Sequence, residues 1–260
     1  MKKQISILGC GWLGKPLAIN LMQQGHKIKG STTSESKLPD FQEIGILPFL
    51  INLDSLKENI SAFLDSEILI VALPSKNIDG FKNLIGFIEK STIKKVVFIS
   101  STSVYENSNE MVTEQTDIPP SALATIETLF KNSSHFNTTI IRFAGLFGYN
   151  RKPGKFFPKG RKIPNPEGFV NMIHQDDCIQ LIEKVIEKNA WNEVFNGCAD
   201  SHPTRREFYS KATLDIVSEL PEFEEAAEIQ QKIISNKKSK ELLHFQYKYG
   251  NLLQINYAIC

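Results

Sequence analysis

The chain has 260 residues, and its 30 basic side chains nearly balance 29 acidic ones, for a formal net charge of +1. With 41% hydrophobic and 23% charged residues, the composition is that of a globular protein and excludes a disordered or fibrous chain. The balanced charge, and the absence of any apolar run of roughly 18 residues, give no reason to expect a nucleic-acid or membrane partner.

Short apolar runs alternate with longer amphipathic segments along residues 1–145. The predicted strands are Gln4–Gly9, Lys27–Ser31, Leu47–Leu53, Glu67–Leu73, Lys95–Ser100 and Thr138–Phe143. The predicted helices are Leu13–Gln24, Ser55–Leu64, Gly80–Glu89 and Ser121–Lys131. Several strands, such as ILIVAL and VVFIS, are nearly continuous apolar runs, which is typical of parallel strands buried on both faces. The alternation predicts an α/β fold with a Rossmann-type, doubly wound parallel sheet.

The pattern changes after Gly148. Gly, Pro, Lys and Arg dominate residues 148–168, which predicts a surface loop. The next predicted elements are a strand at Phe169–His174, a helix at Asp177–Lys188, a strand at Glu193–Asn196 and mostly helical structure from Pro203. We therefore predict a main Rossmann domain at residues 1–168. Residues 169–260 would supply its remaining elements and a small, mostly helical lobe.

Two predicted helix starts carry a hydroxyl residue followed three positions later by a glutamate. They are Ser55 with Glu58, and Thr204 with Glu207. This spacing lets each side chain satisfy a free backbone N–H in the first turn of the helix.

A glycine-rich turn, Gly9-Cys-Gly-Trp-Leu-Gly14, follows the first predicted strand and opens the first helix. Gly9 permits the tight turn, Gly11 lets the backbone approach a pyrophosphate, and Gly14 lets helix and strand pack closely. The helix N-terminus then offers amide groups and a partial positive charge to the anion. The motif predicts a dinucleotide site that includes Trp12 and Leu13. The alternative is that the glycines serve only the strand–helix turn.

The end of the second strand carries hydroxyl residues where a site for NAD usually has a carboxylate to bind the ribose. Ser31, Thr32 and Thr33 occupy this stretch, no carboxylate precedes Glu35, and Lys37 is nearby. Hydroxyls tolerate a 2′-phosphate better than a carboxylate does, so the sequence favours NADP over NAD. As an alternative, Thr32 and Thr33 are only turn residues.

The fifth strand ends in Ile99-Ser-Ser-Thr-Ser-Val-Tyr105, where its hydroxyls would face a cofactor. Together with GCGWLG, three later motifs make the chain resemble the extended and atypical short-chain dehydrogenase/reductases. This superfamily includes NAD-dependent nucleotide-sugar epimerases and dehydratases. The resemblance covers most of the chain, in the right order. The later motifs are IIRFAGLFG (140–148), VNMIHQDD (170–177) and VFNGCADSHPTRREFY (194–209).

The resemblance implies site residues. Ser101, with Thr102 beside it, would hydrogen-bond the substrate oxygen that changes charge, and Tyr105 or a residue of the lobe would supply a proton if one is needed. Asn171 and His174 would lie near the substrate in the lobe. The cofactor positions implied beyond the glycine turn and the second strand are Leu53, Leu73, Pro74, Ser100, Phe143, Ala144 and Gly145.

One departure from the family concerns catalysis. The Tyr-x-x-x-Lys pair should open the helix near Pro120, but the segment from Asp117 to Glu127 contains neither residue. The nearest lysine, Lys131, lies at the far end of that helix. We expect Glu127, which matches a glutamate common in this helix, to be solvated or to cap the helix.

The remaining polar clusters have structural alternatives. We expect His174 to be a structural hydrogen-bonding residue and Asp177, or Asp176, to cap the following helix. Arg205 and Arg206 would either bind a substrate phosphate or be solvated. The basic residues of the surface loop would either attract an anionic substrate or only confer solubility; they are Lys152, Lys155, Lys159, Arg161 and Lys162.

Metal binding is not expected. The five histidines show no ligand spacing, and the four cysteines are far apart without a CxxC pair. The same cysteine usage predicts no disulfide scaffold and a cytoplasmic location.

The sequence leads to two functional hypotheses. The first is an NAD(P)-dependent oxidoreductase or epimerase acting on a small polar molecule, including a nucleotide-sugar, with the nicotinamide doing the redox chemistry. The alternative is a non-catalytic NAD(P)-binding sensor or partner-binding module, which the missing Tyr-x-x-x-Lys pair favours. A small-molecule partner is expected in the first case, and the oligomeric state is left open.

Overall fold

The computed structural model describes residues 2–56, 60–158, 160–217, 219–225 and 229–260. The strands are β1 (Gln4–Leu8), β2 (Lys27–Thr32), β3 (Leu47–Leu50), β4 (Ile68–Val71), β5 (Lys95–Ser101), β6 (Met111–Val112), β7 (Asn137–Phe143), β8 (Gly145–Phe147), β9 (Ile163–Pro164), β10 (Met172–His174), β11 (Val194–Gly197), β12 (Phe223–Glu224) and β13 (Ile233–Ile234). The helices are α1 (Gly14–Gln23), α2 (Leu38–Glu43), α3 (Ile60–Leu64), α4 (Ile78–Glu89), α5 (Ala122–Lys131), α6 (Gln175–Glu187), α7 (Arg205–Val217) and α8 (Lys237–Leu243).

A parallel sheet of seven strands carries the fold, in the order β11-β7-β5-β4-β1-β2-β3. Strand β1 is parallel to both of its neighbours, so that Ile5 lies opposite Ile28 of β2 and Ile68 of β4. The strand order reverses at β1 and β4, and in such sheets the carboxyl ends of the strands at the reversal form a ligand crevice. The predicted Rossmann-type fold is confirmed.

The apolar runs of the sequence explain the packing around the sheet. Every residue of β4 is buried, as expected for a strand covered by helices on both faces. Phe81 of α4, Phe98 of β5 and Phe130 of α5 pack together with ring centroids 4.7–5.9 Å apart. This apolar contact fixes α4 and α5 against the sheet.

The structure differs from the prediction between the second and fourth strands. Helix α2 was not predicted. Of the predicted helix Ser55–Leu64, the described residue Ser55 ends a 3₁₀ turn that begins at Leu53, Ile60–Leu64 form α3, and residues 57–59 lie outside the described ranges. The predicted pair of Ser55 and Glu58 lies partly outside the described residues. The second pair is confirmed, because Glu207 accepts hydrogen bonds from the backbone N–H and hydroxyl of Thr204, both at 2.9 Å.

The chain forms two compact units that alternate along the sequence, without a single boundary near residue 168. The first unit comprises residues 1–100, 119–141 and 182–194, and the second unit comprises 101–118, 142–181 and 195–260. Each unit has its own apolar core. The second contains the two-stranded pairs β10–β8, β12–β9 and β13–β6.

The chain after Pro203 is less helical than predicted. Helices α7 and α8 are present, but they are separated by the two-residue strands β12 and β13 and by irregular segments. These strands pair with distant parts of the chain, β9 and β6, which local sequence periodicity does not reveal.

Candidate active site

The glycine turn in the first unit has the backbone that its residues were predicted to allow. Gly9 has a φ of +99°, and a Cβ there would lie 2.7 Å from the carbonyl oxygen of Ala72. A Cβ on Gly14 would lie 2.2 Å from the carbonyl oxygen of Gly9. Both positions therefore require glycine, the first for its conformation and the second for the close contact of helix and strand.

Gly11 is different, because it is exposed and a Cβ there would meet nothing within 4 Å. The N-terminus of α1, which follows at once, has no side-chain cap and no acidic residue in its first turn. Leu13 is buried and Trp12 is half-buried, so these two side chains pack against the protein while Gly11 is exposed. Open space next to uncapped helix amides fits the pyrophosphate of a dinucleotide.

The hydroxyls at the end of β2 do not all face a ligand. Ser31 is buried, and its Oγ accepts a hydrogen bond from the backbone N–H of Gly9 at 2.9 Å. Its predicted role at the cofactor ribose is therefore replaced by a role in shaping the glycine turn. Thr32 accepts from the N–H of Ser34 at 3.1 Å, which is a turn role, and Thr33 is exposed.

The other predicted cofactor positions of the first unit differ in exposure. Leu73 contacts the glycine turn, because its Cδ2 would lie 2.8 Å from a Cβ on Gly9, and Pro74 beside it is exposed. Leu53 and Ser100 are buried. Of these four, Leu73 and Pro74 have the placement expected of residues that contact a ligand at the carboxyl end of β4.

Glu127 is buried within α5, and the expectation that it is solvated or caps the helix was wrong. Only 1% of the residue is exposed, and its Oε1 accepts a hydrogen bond of 2.5 Å from Ser100 Oγ. Burial of a carboxylate is tolerated when hydrogen bonds compensate for lost hydration. Ser100 and Glu127 therefore link the end of β5 to α5.

Replacing Glu127 with alanine should lower the free energy of unfolding by about 2 kcal/mol, because the buried hydroxyl of Ser100 loses its acceptor. Urea denaturation followed by circular dichroism measures the change. Lys131→Ala, an exposed position on the same helix, is the control and should change stability by no more than about 0.5 kcal/mol. Equal effects of the two substitutions would contradict this role.

The hydroxyl turn, which we define as residues 101–105, belongs to the second unit. Ser101 is half-buried, and its Oγ accepts from the N–H of Ser103 at 3.1 Å at the start of a 3₁₀ turn. Within the described chain the Ser101 hydroxyl donates to no protein acceptor, so its proton is available to a ligand. Thr102 is buried at the base of the turn.

Tyr105, by contrast, is 3% exposed, and its phenol group both accepts and donates a hydrogen bond within the protein. The phenol oxygen accepts from Arg142 Nη1 at 2.7 Å and donates to Asn196 Oδ1 at 2.9 Å. Burial raises the pKa of the phenol, partly offset by the Arg142 hydrogen bond. This placement fits a structural anchor and not the predicted proton donor.

The segment predicted to lie near the nicotinamide is mostly buried. Phe143 packs against the backbone of Gly197, and the N–H of Ala144 donates to the Gly197 carbonyl at 2.9 Å. Gly145 is exposed, and its N–H donates to the Asn171 carbonyl at 3.0 Å. Gly145 is thus the position of this segment with open access to a ligand.

The two predicted substrate residues both bind the protein itself. Asn171 donates to the carbonyl of Lys232 and accepts from the N–H of Ile234, both at 2.9 Å. His174 is buried, and its Nδ1 accepts from the N–H of Asp176 at 3.1 Å, which confirms the expected structural role. The structure therefore gives both residues a positioning role.

Asp177 does not cap α6, because that helix begins at Gln175. Its two carboxylate oxygens instead accept from the backbone N–H groups of Lys248 and Tyr249, at 2.8 and 3.0 Å. The prediction failed because the partners are more than 70 residues away in the sequence. Asp177 fixes the C-terminal segment of the chain to α6.

His174 should make the protein less stable in acid. Burial lowers its pKa from 6.5 to about 4, so between these pH values His174 is protonated in the unfolded chain and neutral in the folded one. This destabilising effect is absent above about pH 6.5. The free energy of unfolding decreases as the pH falls from 6.5 towards 4. The slope is about 1.4 kcal/mol per pH unit, for a total of about 3 kcal/mol.

The test compares free energies of unfolding of wild type and His174→Gln between pH 7 and 4. The difference between them reports His174 together with its effect on Asp176, removes the other titrating groups, Asp177 included, and should shrink as the pH falls. Gly86→Ala, which changes no titratable group, is the control with a constant difference. A constant difference for His174→Gln as well would contradict the assignment.

The second unit contains a cavity of about 320 Å³ between the surface loop and α7. Its walls include the rings of Phe157 and Tyr209, with centroids 5.1 Å apart, and its cationic groups are Lys155 and Arg161. Arg161 lies over the Phe157 ring at 5.9 Å. Glu219 and Glu222 also line the cavity and balance these cations, so it is the aromatic walls that suit a ligand with a flat or apolar part.

The predicted arginines of α7 are occupied by the protein. Arg206 pairs with Glu167 at 2.7 Å and with Glu225 at 2.8 Å. Arg205 donates to the carbonyl of Pro164 at 2.8 Å. Arg206, which is paired with two carboxylates, therefore lacks the open geometry of a phosphate-binding arginine, whereas Arg205 uses only its Nε in this contact. Lys159 of the predicted basic loop lies outside the described residues.

Three further properties concern the described residues. They include no group of three or more His, Cys, Asp or Glu side chains placed to hold a metal ion. The cysteines Cys10, Cys178, Cys198 and Cys260 are all free thiols, and burial raises the pKa of each. No helix in the described ranges has the length and apolar character required to cross a membrane.

Comparison with known proteins bears on the fold and on the first unit. A family model for the NAD binding domain of 6-phosphogluconate dehydrogenase matches residues 4–123. Protein YeeZ of Escherichia coli K12 is 29% identical over 269 residues, which cover 96% of this chain and 98% of YeeZ.

Two solved structures extend the comparison over the whole fold. A conserved protein of unknown function from Silicibacter pomeroyi has a TM-score of 0.81 and 19% identity, covering 97% of this chain and 96% of that one. UDP-glucuronic acid 4-epimerase from Bacillus cereus, solved in complex with NAD, has a TM-score of 0.79 and 17% identity, covering 98% and 97%. The predicted resemblance to the short-chain dehydrogenase/reductases is confirmed at the level of the fold.

Proposed function

We propose that this chain, whose fold is that of the NAD-dependent epimerases and short-chain dehydrogenase/reductases, binds NAD(P) and is an oxidoreductase or epimerase acting on a small polar or nucleotide-sugar substrate. One observation carries the proposal. The exposed Gly11 faces open space next to the uncapped N-terminus of α1, at the strand reversal of the sheet. The family model that matches residues 4–123 supports it.

The proposed chemistry divides between cofactor and protein. When bound, the nicotinamide supplies the hydride chemistry. The amides of the glycine turn and α1 hold the pyrophosphate, and Leu73 and Pro74 cover the adjacent part of the dinucleotide. Ser101 donates its hydroxyl proton in a hydrogen bond to the substrate oxygen that gains negative charge, and the buried Thr102 supports the turn. Tyr105 holds the turn in place through Arg142 and Asn196.

For the cofactor we propose NADP in preference to NAD. The loop after β2 offers the exposed Thr33 and Lys37, and a ribose-binding carboxylate does not precede Glu35. A carboxylate there would repel a 2′-phosphate, whereas a hydroxyl and an ammonium group can donate hydrogen bonds to its oxygens. The burial of Ser31 removes one of the three hydroxyls from this argument.

For the substrate we propose that the cavity of the second unit binds a flat part, such as the base of a nucleotide-sugar. Phe157 and Tyr209 supply the flat walls, whereas Glu219 and Glu222 offset the charge of Lys155 and Arg161. UDP-sugars are the first compounds to test, because a UDP-glucuronic acid epimerase shares the fold.

The second candidate function is NAD(P) binding without turnover, as a sensor or partner-binding module. Two observations favour it. Helix α5 has no Tyr-x-x-x-Lys pair, and the phenol of Tyr105 is buried and occupied. The half-buried Ser101, with its available proton, favours the enzyme.

Fluorescence titration with NADPH and NADH tests the shared premise and the cofactor preference. We expect saturable binding of both, with NADPH tighter; tighter NADH binding would remove the case for NADP. Turnover is then followed at the nicotinamide absorbance with a panel of UDP-sugars and small carbonyl compounds. Binding without turnover across the panel would favour the non-catalytic candidate.

A further inference from the structure

A lysine from the C-terminal segment lies at the hydroxyl turn. The Nζ of Lys232 donates a hydrogen bond to the backbone carbonyl of Tyr105, the last residue of the turn. The N–H of Tyr105 in turn donates to the carbonyl of Thr102 at 3.2 Å. Lys232 therefore holds the backbone segment that carries Ser101 and Thr102, although it is more than 120 residues away in the sequence.

The backbone around Lys232 is fixed on both sides. Strand β13 begins at the next residue and pairs with β6, placing Ile233 opposite Met111. Asn171 binds the carbonyl of Lys232 and the N–H of Ile234, both at 2.9 Å. The pairing of β13 with β6 and the two hydrogen bonds of Asn171 therefore fix the backbone on either side of the Lys232 side chain.

The charge of Lys232 is not compensated in the way that other lysines of the second unit are. Lys240 pairs with Asp200 at 2.8 Å, and Lys248 pairs with Asp176 at 3.3 Å. Within the described ranges, Lys232 reaches one acceptor, the neutral carbonyl of Tyr105. The residue is partly buried, and this desolvation alone lowers its pKa. An ammonium group with one neutral acceptor and three N–H donors retains the capacity to bind an anionic oxygen.

We propose that Lys232 binds the substrate oxygen that becomes negatively charged, next to Ser101, and so supplies from the C-terminal segment the cation that α5 lacks. The inference rests on the proposed function and adds a residue to the same site. The hydroxyl of Ser101, the first residue of the hydroxyl turn, and the ammonium group of Lys232, bound to its last residue, then act on one substrate oxygen. Such a pair stabilises a developing oxyanion more than either donor alone.

Three variants test the role in turnover, using the substrate found in the panel. Lys232→Met should lower kcat/KM about 100-fold without weakening NAD(P) binding, because the glycine turn is untouched. Lys232→Arg keeps the charge and should retain more activity than Lys232→Met. Lys237→Met, at an exposed position on α8, is the matched control and should behave as wild type.

A second measurement does not depend on turnover. Labelling of the wild-type protein with trinitrobenzenesulfonate over a range of pH, with each lysine followed by mass spectrometry, reports when each amine becomes uncharged. Lys232 should react at a lower pH than Lys248, because hydrogen bonds to Tyr249 and Asp176 raise the pKa of Lys248. The reagent is itself an anion, so its reaction also reports access to the Lys232 nitrogen.

The outcomes separate this inference from the proposed function. Wild-type activity of Lys232→Met, or labelling of Lys232 at a pH no lower than that for Lys248, overturns the role of Lys232 and leaves NAD(P) binding intact. A wild-type chain that takes up no nicotinamide nucleotide overturns the proposed function, and with it the substrate role of Lys232. Labelling of Lys232 at low pH would then show only that its amine is accessible and has no carboxylate partner among the described residues.

Discussion

Replacing Gly11 with alanine should weaken NAD(P) binding at least about tenfold, or about 1.4 kcal/mol, and leave the fold unchanged. A Cβ at this position meets no protein atom within 4 Å, so the free energy of unfolding should stay within about 0.5 kcal/mol of wild type. The same methyl group would occupy the space in which we place the pyrophosphate. Isothermal titration calorimetry measures the affinity, and thermal denaturation measures the stability.

The matched control for this substitution is Gly86→Ala. A Cβ on Gly86 also meets nothing within 4 Å, but the residue lies within α4. Alanine should stabilise that helix by up to about 1 kcal/mol and leave NAD(P) affinity unchanged. If Gly11→Ala binds the dinucleotide as tightly as Gly86→Ala does, the pyrophosphate is not at the glycine turn.

Replacing Ser101 with alanine should lower kcat about 100-fold, while NAD(P) affinity and the unfolding free energy stay close to wild type. The reason is geometric. Ser101 is half-buried, and its hydroxyl proton is not donated to any described protein acceptor. The substitution therefore removes a hydrogen bond donated to the substrate and none donated to a described protein acceptor. Steady-state kinetics on the substrate from the panel, with a fluorescence titration of NADPH alongside, separates turnover from cofactor binding.

Ser103→Ala is the control for Ser101, two residues away on the same turn and exposed. It should keep the kcat of wild type. Equal losses in the two variants would mean that the turn tolerates no substitution, and no loss in either would remove Ser101 from the catalytic site.

The sequence predicted the parts of the molecule that depend on local pattern. ILIV at β4 is buried throughout, as a continuous apolar run indicates, and Gly9 and Gly14 make the close contacts that their positions in the motif predict. The second pair of helix-capping residues, Thr204 and Glu207, is also local and was found. In each case the physical cause lies within a few residues of the chain.

Glu127 was misjudged although a local signal existed. It occupies a helical position four residues after Leu123 and three before Phe130, on the apolar face of α5. A carboxylate on such a face requires a buried partner, and Ser100, at the end of a predicted strand, supplies it. Helical periodicity would have found this pair.

Other features depend on contacts between distant parts of the chain, and the sequence carried no signal for them. Asn171 binds the carbonyl of Lys232, 61 residues away in the sequence. Strand β13 pairs with β6, and strands of two residues are too short to show a periodic pattern. The phenol of Tyr105 is occupied by Arg142 and Asn196, which come from two other segments. Each of the two units is likewise built from three separate ranges of the chain, which meet through contacts between residues far apart in the sequence.

The central claim is that the glycine turn and the N-terminus of α1 bind a nicotinamide dinucleotide. Calorimetric titration of the purified wild-type chain with NADP and NAD, each in oxidised and reduced form, tests it most directly. We predict saturable binding at a single site per chain, weakened by Gly11→Ala. No uptake of any of the four nucleotides would contradict the account.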